Sequence, residues 1–81
     1  METPKRVGWA NVSALKLWRQ KYELSQEALA QRSGVSRATI SSAEQGRRMK
    51  FAQADAIAAV FGVTRDKLAK EPEEEDVLVS A

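Results

Sequence analysis

Apolar residues recur at helical spacing in several separate stretches of this chain. Val12, Leu15, Trp18 and Tyr22 mark one face of a first helix over about residues 12–22, with Asn11 or Ser13 as its cap. Ser25 caps a second helix over about residues 26–32, which turns Leu29 and Ala30 inward; Ala28 at the third position after the cap means that no capping box forms. Gly34 stops it, because glycine takes a left-handed turn without penalty. Ser36 caps a third helix over about residues 37–45, ended by Gly46. A fourth, over about residues 52–61, carries Ala54, Ile57, Ala58 and Phe61 at i, i+3, i+4 and i+7 and stops at Gly62. Thr64 caps a short fifth helix with Asp66 in its first turn and Leu68 returning to the core. No alternating run is long enough to predict a strand.

These elements bound the domain organisation. Pro4 and Gly8 discourage regular structure in residues 1–10, which read as a flexible arm from which only Trp9 folds back. Residues 11–70 form the folded domain. Pro72 ends regular structure, and residues 71–81 read as an acidic, disordered tail. The 81 residues leave room for one domain with a modest core, a size that often gains stability by dimerising.

Composition narrows the function. The chain has no cysteine and no histidine, which removes disulfides, most zinc sites and most nucleophile–base pairs. With no phosphate-cradling glycine loop either, an enzyme is not expected. The net charge of +2 hides an asymmetry. Residues 1–70 hold all 13 Lys and Arg against six acids, net +7, whereas residues 71–81 hold five acids and no base, net −5. A basic body suggests a polyanion partner. No apolar run approaches the ~20 residues of a membrane span, and residues 1–7 are polar with no apolar stretch after them, so neither a span nor a signal peptide is read. A reducing, cytoplasmic location follows.

The stretch from Gln26 to Gln45 is a helix, a tight turn and a second helix. Ala30 must be small where the second helix crosses it, Gly34 must take the turn, and Val35 and Ile40 must fill the angle between the helices. Ala43 also points inward, and Ser33 is more polar than a half-buried position suggests. The third helix has short polar side chains on its outer side, at Ser36, Arg37, Ala38, Ser41 and Ser42. Short side chains let a helix sit deep in the major groove, which is about as wide as one α-helix.

The run Leu24-Ser25-Gln26-Glu27-Ala28-Leu29-Ala30, then Gly34-Val35-Ser36, Thr39-Ile40-Ser41 and Glu44-Gln45-Gly46, resembles the Cro/cI-type (XRE-like) helix-turn-helix family of phage repressors and bacterial regulators. Phe61-Gly62-Val63-Thr64 with Leu68 also fits, and the resemblance covers about residues 12–70. It implies an all-α, five-helix, lambda-repressor-like fold with helix 3 in the major groove of double-stranded DNA. By position the family's base readers match Arg37, Ala38 and Ser42, with Ser42 read as lying on the same face as Arg37. Arg37 suits guanine, Ala38 a thymine methyl, and Thr39 is a further candidate. Gln26 matches a phosphate donor at a helix N-terminus. Gln45, Arg47, Arg48 and Lys50 flank the groove and meet phosphates, as Ser36 does beside its capping role. Arg19 and Glu44 match a structural pair joining helices 1 and 3. Glu23 departs from the family, which often has Gly or Asn there.

The resemblance implies a bacterial or phage-encoded transcriptional regulator, most simply a repressor or autoregulator binding a palindromic operator as a homodimer, with no cofactor or metal. Family habit places the dimer interface near helices 4 and 5, with Phe51, Val60, Val63 and Leu68. The alternative is an antitoxin-type interaction module whose acidic tail neutralises a protein partner and which also binds DNA.

Overall fold

The computed structural model describes residues 8–73. They form strand β1 (Trp9–Ala10), helices α1 (Leu15–Lys21), α2 (Gln26–Ser33) and α3 (Arg37–Glu44), strand β2 (Met49–Lys50), helix α4 (Phe51–Phe61) and a C-terminal 3-10 turn (Arg65–Ala69). Residues 1–7 and 74–81, most of the expected arm and tail, lie outside the described residues. No helix among those described is long and apolar enough to cross a membrane.

The core is one cluster drawn from every element. Leu15 and Trp18 of α1, Leu29 of α2, Ile40 and Ala43 of α3, Met49 of β2, and Ala54, Ile57, Ala58 and Phe61 of α4 are all buried, with Leu68 beneath the last turn. α4 packs on α2 and on the C-terminal turn, while α1 bridges α3 and that turn. Trp18, Tyr22 and Phe61 form an aromatic group, with ring centroids of Tyr22 and Phe61 4.9 Å apart. Trp18 does more than fill space. It is fully buried, and its indole N–H donates to the carbonyl oxygens of Lys67 (3.0 Å) and Lys70 (2.8 Å), tying the chain end to α1.

The fold departs from the sequence expectations in three places. The first helix begins at Leu15, not Val12. Val12 is buried but sits in a preceding turn, where its carbonyl accepts from Leu15 N–H (3.0 Å) and Asn11 Oδ1 accepts from Ser13 N–H (2.9 Å). The fifth helix is a 3-10 turn. Its bonds run Lys67 to Thr64 and Lys70 to Lys67, both at 3.0 Å, and the indole of Trp18 takes carbonyls that a further helical turn would have used. Thr64 donates its hydroxyl to the Asp66 carboxylate rather than capping backbone, which holds Asp66 below the usual carboxylate range. Third, a strand pair exists: Trp9 faces Lys50 and Ala10 faces Met49, antiparallel. The pair anchors the chain before α1, yet Trp9 itself remains 49% exposed.

Two turns set the geometry of α2 and α3. Gly34 has φ +80°, and its N–H closes α2 by donating to Ala30 O at 2.8 Å. A Cβ there would meet nothing within 4 Å, so the position demands glycine for backbone reasons alone. Gly34→Val is expected to cost about 2 kcal/mol in a urea melt, from left-handed strain on a β-branched residue. Ser33 suits its half-buried site because its hydroxyl accepts from Val35 N–H at 3.1 Å. Before α2, Glu23 adopts φ +56°, the left-handed region where Gly or Asn is comfortable. Glu23→Asn is therefore expected to raise stability by about 0.5–1 kcal/mol; an unchanged or lowered melting midpoint would contradict this.

Candidate nucleic-acid interface

α3 presents its inner side through Ile40 and Ala43, which are buried. At about 100° per residue, Ala38 lies opposite them. Ser41 flanks Ala38 on one side with Arg37 beyond it, and Ser42 flanks it on the other with Thr39 beyond. Arg37, Ala38 and Gln45 are exposed; Thr39, Ser41 and Ser42 are half-buried. The outer strip thus carries nothing longer than serine between Arg37 and Gln45.

The N-terminus of α2 stands beside this strip. Gln26, Arg37, Ala38 and Ser41 line one depression of about 250 Å³. Arg19, Ser25, Gln26, Glu27 and Arg37 line a neighbouring one of about 410 Å³. The structure therefore places Ser41, not Ser42, beside Arg37. Ser42 lies about 140° round the helix from Arg37, so the two do not share a face as the spacing was read. Ser41 is an i+4 neighbour of Arg37 in the sequence, but the base readers that the resemblance implies do not include it.

The angle of α3 is held from below. Arg19 grips Glu44 with two bonds, Nε to Oε2 at 2.6 Å and Nη2 to Oε1 at 3.0 Å, and donates a third to Leu24 O at 2.9 Å. The two side chains are only 14% and 5% exposed. Glu44 raises the pKa of Arg19, chiefly through this hydrogen bond, so the guanidinium stays charged. Gln26 joins them: its Nε2 donates to Glu44 Oε1 at 3.1 Å. Sequence reasoning missed this bond. A carboxylate only accepts, so the amide nitrogen must face Glu44. One amide hydrogen is thereby committed inside the domain.

Ser36 is similarly occupied. Its Oγ accepts from Thr39 N–H at 3.2 Å and donates to Thr39 Oγ1 at 2.8 Å, which makes it the cap of α3 before anything else. Gln45 Nε2 reaches Ser41 Oγ at 3.4 Å, lying along the strip.

Two arginines are ion-paired, while the cations of α3 and the loop after it are not, and neither are Lys16, Lys21, Arg32 and Lys70 among the described residues. Arg19 is paired with Glu44, and Arg65 is paired with Asp55 at 2.8 Å while lying over the Phe51 ring at 3.9 Å. Among the described residues, no carboxylate lies within ion-pair distance of Arg37, Arg47, Arg48 or Lys50. Lys50 Nζ instead sits 6.0 Å from the centroid of Trp9. α3 also has no acid in its first turn and starts on Arg37, which opposes its helix dipole. α2 follows the stabilising pattern, Glu27 early and Arg32 late. A surface that sacrifices local electrostatic stability to collect unpaired positive charge suits a polyanion.

A family model described as helix-turn-helix matches residues 15–68. The chain belongs to the Cro/cI-type helix-turn-helix family. No curated protein and no solved structure matches it. Members of this helix-turn-helix family are DNA-binding regulators, so DNA is the partner and regulation the role. Within the helix-turn-helix, α2 and α3 are the two named helices. Among the described residues, the five-helix expectation reduces to four α-helices with a closing 3-10 turn and a two-stranded sheet.

Proposed function

We propose that the protein is a dimeric repressor or autoregulator that lays α3 in the major groove of a palindromic operator. The observation that carries this reading is the short-sided outer strip of α3 bordered by unpaired arginines. Arg37 reads guanine through its bidentate fork, Ala38 contacts a thymine methyl, and Ser42 and Thr39 touch the far side of the groove. Ser41, which shares a depression with Arg37, joins the base-facing set. Gln26, Ser36, Gln45, Arg47, Arg48 and Lys50 meet phosphates; Ser36 does so only by giving up its bond to Thr39.

One domain makes few base contacts, and a two-fold dimer doubles them with its recognition helices about 34 Å apart. Phe51, Val60 and Val63 are half-buried and remain candidates for the interface. Leu68 does not: it is fully buried within the monomer. Selection from a random duplex pool with the purified protein tests the reading. A palindromic consensus whose half-sites are one helical turn apart supports it, together with a dimer in sedimentation. A single non-repeated site bound by a monomer overturns the dimeric form.

Arg48→Ala is expected to weaken specific and random duplexes alike and to flatten the slope of log affinity against log salt by about 0.9. A loss confined to the specific site would move Arg48 from phosphate contact to base reading.

A further inference from the structure

Trp9 is an aromatic residue that neither the core nor the base-facing set uses. Among the described residues it and Leu17 are the large apolar side chains left exposed, Trp9 the more so at 49%. The strand pair fixes its position. β1 and β2 run antiparallel, with Ala10 opposite Met49 and Trp9 opposite Lys50. Ala10 and Met49 are buried, so Trp9 and Lys50 share the outer face of the sheet. Lys50 Nζ lies 6.0 Å from the centre of the indole ring, the outer limit of a cation–π contact. The indole N–H of Trp18 has two acceptors, whereas that of Trp9 has none among the described residues.

We infer that Trp9 is a further DNA-contacting residue, whose indole N–H donates to the backbone phosphate that Lys50 meets while its ring covers the adjoining sugar. This rests on the reading of Lys50 as a phosphate contact. An ammonium and an indole N–H both donate and neither accepts, so the pair presents donors alone to a partner that must bring acceptor oxygens. The rest of the indole is apolar and suits the carbon face of a deoxyribose. A second copy fits this face poorly. A two-fold contact sets the same patch against itself, and no carboxylate lies within ion-pair distance of Arg47, Arg48 or Lys50 among the described residues to offset their repulsion. A phosphate contact fixes register and carries no base information, so Trp9 supports affinity on every sequence.

The chain has two tryptophans, of which Trp18 is fully buried. Subtracting the fluorescence of Trp9→Phe from that of wild type therefore isolates Trp9. Without DNA this signal should be freely quenched by acrylamide at every protein concentration, and a saturating random duplex at low salt should protect it. Trp9→Phe keeps a ring on the strand and loses the donor. It should bind random and selected duplexes alike about 3–10-fold more weakly, the worth of one hydrogen bond, with the selected consensus unchanged. Its slope of log affinity against log salt should match wild type, because no charge is removed. Unchanged quenching of Trp9 in duplex-saturated wild type overturns the inference and leaves the DNA reading standing. Protection with no loss of affinity in Trp9→Phe also overturns it, since the ring is then covered but not bonded. Protection that grows with protein concentration in the absence of DNA overturns it in favour of a second copy on this face. If wild type binds no duplex, the reading beneath the inference falls and the inference with it.

Discussion

Trp18→Ala is expected to remove about 3–5 kcal/mol, a large part of the stability of this domain. Trp18 is fully buried at the junction of α1, α4 and the C-terminal turn, against Tyr22 and Phe61. Truncating a buried tryptophan costs about 3–5 kcal/mol through lost transfer energy and the cavity left behind. A domain of this size holds about 4–12 kcal/mol in total. The carbonyls of Lys67 and Lys70 also lose their donor, and the turn that covers Leu68 loses its tie to α1. Trp18→Phe separates the two effects: it keeps a ring in the core, deletes the N–H and should cost about 1–3 kcal/mol. Urea melts followed by circular dichroism read both. A midpoint for Trp18→Ala within error of wild type would mean that the C-terminal turn does not depend on the indole.

Glu44→Ala is the second large effect, and it links stability to function. The Arg19–Glu44 pair is partly buried, and removal of one partner leaves the other charge uncompensated; the cost for a fully buried pair is about 3–5 kcal/mol. The lower end applies here, since Arg19 keeps 14% exposure and its bond to Leu24 O. Gln26 is released at the same time, because its Nε2 loses Glu44 Oε1. The substitution thus unties α3 from α1 and from the N-terminus of α2 in one step. DNA affinity should fall for the folded fraction, on specific and random duplexes together, because the whole reading helix is displaced rather than one contact. The double variant Arg19→Met/Glu44→Met should lose less stability than the sum of the singles, since no orphan charge remains. Additive losses would show that the two residues are not coupled.

Much of this architecture was legible because periodicity and turn chemistry agreed. α4 shows it best: Ala54, Ile57, Ala58 and Phe61 were read as its inward face, and they are the four buried there. Ser25 and Ser36 cap their helices through hydrogen bonds to Ala28 and Thr39 N–H, as their positions suggest. What failed did so for local reasons. Val12 keeps the apolar rhythm of α1 across a turn, so burial alone could not set the start of the helix. Strands of two residues contain no alternation to detect, and their pairing spans 41 positions from Trp9 to Lys50. The closing turn looks helical by its cap and core residues, but Trp18, 49 positions from Lys67, claims its carbonyls. In the candidate interface, the Arg19–Glu44 pair follows from the family resemblance and the nearness of Ser41 to Arg37 from their i+4 spacing on α3, whereas the Gln26–Glu44 bond depends on how two helices cross, which spacing along one helix does not encode.

The central claim is that the outer strip of α3 reads bases and that Arg37 leads it. Random-pool selection run in parallel on wild type and Arg37→Ala tests it most directly, paired with affinities on the selected site and on a random duplex. The account predicts a loss of about 1–3 kcal/mol on the selected site, a smaller loss on random DNA, and disappearance of a guanine preference at one position per half-site while the other positions persist. An equal loss on both duplexes with the consensus intact would contradict it, as would a folded wild-type protein that binds no duplex at low salt.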